Sequence, residues 1–263
     1  MNSNIVSINR YPFAVNVSTG YEDKAEQAAI LTMSAKEKLD HLFGFSPLVS
    51  LYVLSKNDWD KYSSIPIYGM PNYNSRMIVI AAEKGDFWQN MTELIINNRP
   101  DNIEPLRSVY ADSRGEIDLS SFFLMLVVHE LGHAYHSQYS FRFPRLWLME
   151  LFANLCNHVC LASCHPESLA ALVTFSNFMS QVDPSKFRHK TWKEFEENYS
   201  RMDPANYGWY QTRLKVIAAQ LYESLGDDVL SRIWSTFAIP DNELCETIER
   251  RVSGELCNLL MES

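Results

Sequence analysis

The chain has 263 residues, 46% of them apolar, and a formal net charge of −9. That length and composition support a folded core in one or two lobes, while the acidic balance and the scattered Lys and Arg argue against a nucleic-acid surface. The longest apolar run, Phe122 to Val128, is far short of the roughly 20 residues a membrane span requires, so no membrane partner is expected.

Met1 to Arg10 has neither the charged start nor the continuous apolar core of a signal peptide, so the expected compartment is the cytoplasm. Five cysteines, an odd count, suit a reduced state. Short strands are expected at Ile5–Ile8, Phe13–Val17, Leu48–Leu54, Ile65–Tyr68 and Met77–Glu83, with a helix from about Tyr21 to Phe43. Met77 to Ala82 has no polar alternation, which fits either a sheet edge or an interior strand.

Asp118, Ser120 and Ser121 offer N-caps for a helix that opens with the run Phe122 to Val128. Pro144 is placed to begin the next helix. Cys156, Cys160 and Cys164 recur every fourth residue, which makes them small buried residues of a helix contact rather than a second metal cluster. Thr191-x-x-Glu194 reads as a capping box, and Asp203-Pro204 opens a helix that ends near Leu225-Gly226. The expected class is α+β. A mixed-sheet lobe over 1–143 includes the active-site helix, a helical lobe covers 144–263, and together they form one domain over 1–263.

Within the first of those helices lies His129-Glu130-Leu131-Gly132-His133, the pattern His-Glu-x-x-His. Four residues advance a helix by about 400°, so the two imidazoles share a face and can grip one ion. Glu130 can then reach a water polarised by that ion and act as general base without being a ligand. Two imidazoles and a carboxylate continuing a buried helix would be costly unless something binds them, and Zn2+ is the expected ion. Catalytic zinc takes a third protein ligand. Glu150 is the only carboxylate between Arg145 and Asn154, in a run otherwise apolar from Leu146, and the short connection from Ser137 to Phe143 lets the second helix fold back to bring it near His129 and His133. His136, three residues beyond His133, is expected to line the cleft or support a ligand.

Trp147-Leu148-Met149-Glu150-Leu151-Phe152-Ala153 resembles the Trp-Leu-Asn-Glu-Gly-Phe-Ala segment of gluzincin aminopeptidases, and the wider pattern is similar to thermolysin-like peptidases. The resemblance covers about 118 to 160 closely. It implies a zincin-like fold with the active-site helix at the junction of the lobes, His129, His133 and Glu150 as zinc ligands, and Glu130 as base. It further implies an oxyanion-stabilising tyrosine near the start of the helix that ends in Leu225-Gly226, where Tyr210 matches the offset best and Tyr207 follows. Two departures stand out. Asn154 occupies the place of an aspartate that supports a ligand histidine in thermolysin-like members, and Gly69-Met70-Pro71-Asn72 lacks the glutamate that holds a substrate amine in the aminopeptidases.

The expected function is therefore a zinc metallopeptidase acting on a peptide or protein, with specificity unread. The alternative is a non-catalytic zinc-binding or partner-binding protein derived from the same fold.

Overall fold

The first half of the chain builds a five-stranded mixed sheet, seen in a computed structural model that describes residues 5–85, 88, 90, 92, 93, 96, 103–139, 142–237 and 239–261. The strands are β1 (Ile5–Ile8), β2 (Ala14–Ser18), β3 (Ser50–Leu54), β4 (Asn72–Asn74) and β5 (Met77–Ala81), in the order β1-β2-β3-β5-β4. The central pairs β2–β3 and β3–β5 are parallel, and the outer pairs β1–β2 and β4–β5 are antiparallel. The run Met77 to Ala81 is thus interior. Ile78 and Ile80 face the main core while Val79 packs with Leu54 and Trp59 on the opposite side, so both faces are covered and polar alternation is lost.

The sheet edge near the helices is β4, which the sequence did not announce. It joins β5 through the two-residue turn Ser75-Arg76, with φ of 42° and 74°. A two-residue hairpin of this hand calls for Asn-Gly or Asp-Gly, and a Ser-Arg pair conceals it. Ile65–Tyr68, expected as a strand, is a loop instead. Pro66 has no N–H to give a ladder, and the Ile65 carbonyl accepts from Trp59 Nε1 at 2.7 Å.

Helix α1 (Glu22–Phe43) crosses between β2 and β3 and lays Ala25, Ala28, Ala29, Ala35 and Leu39 against the core. Helix α2 (Lys56–Tyr62) covers the other face through Trp59. Next come α3 (Glu104–Tyr110), α4 (Ser120–Gln138), α5 (Leu146–Cys164), α6 (Pro166–Ser180), α7 (Trp192–Asn198), α8 (Pro204–Leu225), α9 (Asp228–Trp234), α10 (Asp241–Arg251) and α11 (Gly254–Met261). The chain is therefore α+β, a small mixed sheet followed by mostly helical structure. One apolar cluster runs from Phe13 in the sheet segment to Cys257 in α11, crossing the expected lobe boundary.

Several helix boundaries follow the local chemistry. Asp118 Oδ1 accepts from the Ser120 N–H at 2.9 Å, the Thr191–Glu194 capping box is complete in both directions, and Asp203 accepts from the Asn206 N–H at the start of α8. Pro144 departs from expectation. It precedes α5, whose N-cap is the extended Arg145, and a first-turn N–H of α5, that of Trp147, is satisfied by Glu196 Oε1 at 3.0 Å. The cysteines also divide differently. Cys245 and Cys257 form a disulfide between α10 and α11, leaving Cys156, Cys160 and Cys164 as free thiols. Among the described residues no helix is long and apolar enough to cross a membrane.

Candidate metal centre

Helices α4 and α5 pack against each other with Gly132 at the contact, where a Cβ would fall 2.9 Å from the Ala153 Cα. That close approach sets the site. His129 and His133 project from one face of α4, and Glu150 projects from the facing turn of α5. The two Nε2 atoms lie 3.1 Å apart, and Glu150 Oε2 is 3.3 Å from one and 3.6 Å from the other. Nitrogen ligands at 2.0–2.1 Å on a tetrahedral ion would be separated by about 3.3 Å, so the protein holds the donors at close to coordinating distance. This buried group can hold a metal ion.

The outer ring nitrogens indicate which tautomers are favoured. His129 Nδ1 lies 3.1 Å from Asn154 Oδ1, an acceptor, so the ring carries its proton there and leaves Nε2 as a lone pair. His133 Nδ1 lies 2.9 Å from His136 Nε2. Burial and the neighbouring His133 push His136 down to about 3, so it is neutral and can accept. Two lone pairs then face each other across 3.1 Å, an arrangement that needs a cation or a shared proton between them.

The ionisation states point the same way. Burial lowers His129 to about 4 in spite of Glu150. Burial also acts to raise Glu150, but His133 and His129 outweigh it and hold the carboxylate well below its ordinary range. Burial acts to lower His133, yet Glu150 and Glu130 leave it raised, so of the two imidazoles His133 is the one shifted toward its protonated form.

Glu130 is buried one residue from His129. Burial, with Glu150 adding to it, raises its carboxyl to about 7, against opposition from His133, Lys215 and the Tyr73 backbone N–H. Tyr73 belongs to β4, so the outer sheet edge among the described residues runs beside Glu130. Together β4, α4, α5 and α8 line a cleft of about 580 Å³ with His129, Glu130, His133 and Glu150 on its wall.

Of the two tyrosines singled out in α8, the structure brings Tyr207 to this cleft and keeps Tyr210 away. Tyr207 Oη accepts from Gln211 Nε2 at 2.8 Å and faces the cleft. Tyr210 is fully buried among Trp192, Phe195 and Trp209, and its hydroxyl donates to the Thr191 carbonyl at 2.7 Å. The offset implied by the resemblance thus falls on a residue outside the cleft, because Tyr210 closes the α7–α8 contact.

Three polar residues that sequence reasoning missed complete the surroundings. Tyr199 donates to Glu150 Oε1, Gln211 Nε2 donates to Glu150 Oε2 at 2.6 Å, and Lys215 Nζ donates to Asn154 Oδ1 at 2.5 Å. Tyr207, Gln211 and Lys215 recur every fourth residue, and that polar column on a buried helix was the available signal. Of the 139–143 connection, residues 140 and 141 lie outside the described residues. Comparison of the chain with protein-family models and with curated proteins returns no match.

Proposed function

We propose that the protein is a zinc-dependent metallopeptidase of zincin-like architecture, with His129, His133 and Glu150 as the ligand set. The observation that carries this reading is the placement of Glu130: a buried carboxylate beside three metal-ready donors, facing an open cleft bordered by a sheet edge. Two nitrogens and one oxygen suit zinc, and three protein ligands leave a position for substrate. Bound there, zinc would polarise the scissile carbonyl and acidify a water.

The chain's own groups supply the rest. Glu130, whose carboxyl burial raises in the metal-free protein, takes the proton from the attacking water and passes it to the departing amine. Tyr207 stays protonated, since burial with Glu150 and Glu130 nearby raises its hydroxyl far above the usual range, and it offers its proton to the developing oxyanion. The outer edge of β4 can pair with an extended peptide through main-chain hydrogen bonds. His136, Asn154, Gln211 and Tyr199 hold the ligands in orientation.

One observation favours the non-catalytic alternative. His129 is backed by a neutral amide that itself bonds a lysine, rather than by a carboxylate that would raise its basicity. Metal analysis and a diverse peptide library separate the two. Stoichiometric zinc with cleavage that disappears in Glu130→Gln supports the hydrolase; stoichiometric zinc with no cleavage supports the alternative, and absence of zinc sinks both.

A further inference from the structure

Lys215 is a cation in an unusual position. It is 8% exposed and lines the cleft, yet among the described residues its one hydrogen bond goes to the neutral Asn154 Oδ1 and no carboxylate is within ion-pair distance. An ammonium has three donors, so two remain unused. A buried, unpaired charge is costly to maintain. Glu130 and Glu150 lower that cost in the protein alone, opposing the effect of burial on Lys215. Burial still lowers the ammonium to about 8, and a divalent cation would balance those two carboxylates, so Lys215 would keep its charge best with an anion of its own at the two remaining donors.

The wall of the cleft provided by α4 and α6 is apolar, with Phe122, Leu126 and Phe175. Apolar walls with one desolvated cation behind them match a group that has a hydrocarbon stem and an anionic end. We infer that Lys215 receives a carboxylate of the substrate, either an acidic side chain close to the scissile bond or the C-terminal carboxylate. The inference rests on the hydrolytic reading above and supplies its substrate class. Asn154 links this receptor to His129, so Lys215 sits two hydrogen bonds from that imidazole and an anion on Lys215 would sit three away.

The test uses zinc-loaded protein and matched peptides. One pair differs by Glu against Gln next to the cleaved bond, and the other by a free against an amidated C-terminus. Wild type should favour the carboxylate member of one pair by about tenfold to a hundredfold in kcat/KM, mostly through KM. The pair that responds identifies the source. Lys215→Met should bring that ratio close to unity with zinc content retained, and Lys215→Arg should restore most of it. Where Lys215→Met does not fold, Lys215→Gln takes its place.

No preference in wild type, or a preference that survives loss of the lysine, overturns the inference while leaving the hydrolase standing. Should nothing be cleaved, the hydrolytic reading falls, and calorimetric titration of the same pairs into zinc-loaded Glu130→Gln protein decides alone. Tighter binding of the carboxylate member by about tenfold that is lost when Lys215→Met is added upholds the inference; equal or absent binding, or a preference that survives Lys215→Met, overturns it.

Discussion

Gly132 and Ala153 touch across the α4–α5 contact so closely that a Cβ on Gly132 would come within 2.9 Å of the Ala153 Cα and 3.2 Å of the Cys156 Cβ. The glycine between the two histidines is therefore what lets α5 approach near enough for Glu150 to face them. Gly132→Ala brings two opposed effects. Helix propensity favours alanine by about 1 kcal/mol, but the obstructing atom is backbone, and overpacking a tight contact costs about 1–3 kcal/mol. The second should win. Urea denaturation should show a lower midpoint, and zinc titration should show affinity reduced by about tenfold or more as Glu150 is pushed away.

Glu130→Gln should retain metal while reducing hydrolysis by about a hundredfold to ten-thousandfold, the usual range for a lost general base. The same variant tests the ionisation of Glu130. In metal-free protein its carboxyl is raised from 4.5 to about 7, so the folded state binds a proton that the unfolded state has released. That stabilisation is fully present below 4.5 and is lost as pH rises through about 7. With chelator present, wild type should therefore lose ground to Glu130→Gln as pH increases from about 5 to 8, by on the order of 2 kcal/mol. A stability difference that does not change with pH would show that Glu130 ionises normally.

The tyrosines separate cleanly by location. Tyr207→Phe removes the hydroxyl that faces the cleft and should lower kcat by about a hundredfold or more, with zinc content unchanged. Tyr210→Phe removes only the bond to the Thr191 carbonyl and should cost about 1 kcal/mol of stability with little change in kcat. The reverse pattern would return the oxyanion role to Tyr210 and require α8 to sit differently.

The grouping of candidate metal donors was legible because helical periodicity is local: four residues place His129 above His133, and an isolated carboxylate in an apolar run points to Glu150. Helix ends at Thr191, Asp203 and Gly226 were legible for the same reason, since capping chemistry is read within one turn. What failed was set by tertiary geometry. Tyr207 and Tyr210 are three residues apart on one helix, and only the packing of α8 on α7 decides which faces the cleft. β4 was hidden by a turn whose residues do not advertise it, and the link between Cys245 and Cys257 could not be read from spacing.

Metal binding itself should be coupled to protons and to folding. His129 is lowered and Glu150 held well below its ordinary range, whereas the two carboxylates shift His133 toward its protonated form, so His133 is the donor whose proton an arriving ion would displace. Calorimetric zinc titration near neutral pH, repeated in buffers of different ionisation enthalpy, should report net proton release, from His133 and in part from Glu130. His133→Ala should abolish both the release and tight binding. Since zinc binds the folded arrangement and not the extended chain, chelation should lower the unfolding free energy by RT ln(1 + [L]/Kd), about 4 kcal/mol where zinc had been at a thousand times Kd. Glu150→Gln should weaken zinc binding by about tenfold or more, because a neutral amide replaces an anionic donor, and should reduce the proton release, because His133 loses a carboxylate that raises it. If zinc binds with no net proton release, His133 is neutral beforehand and the facing Nε2 lone pairs are separated by something other than a proton.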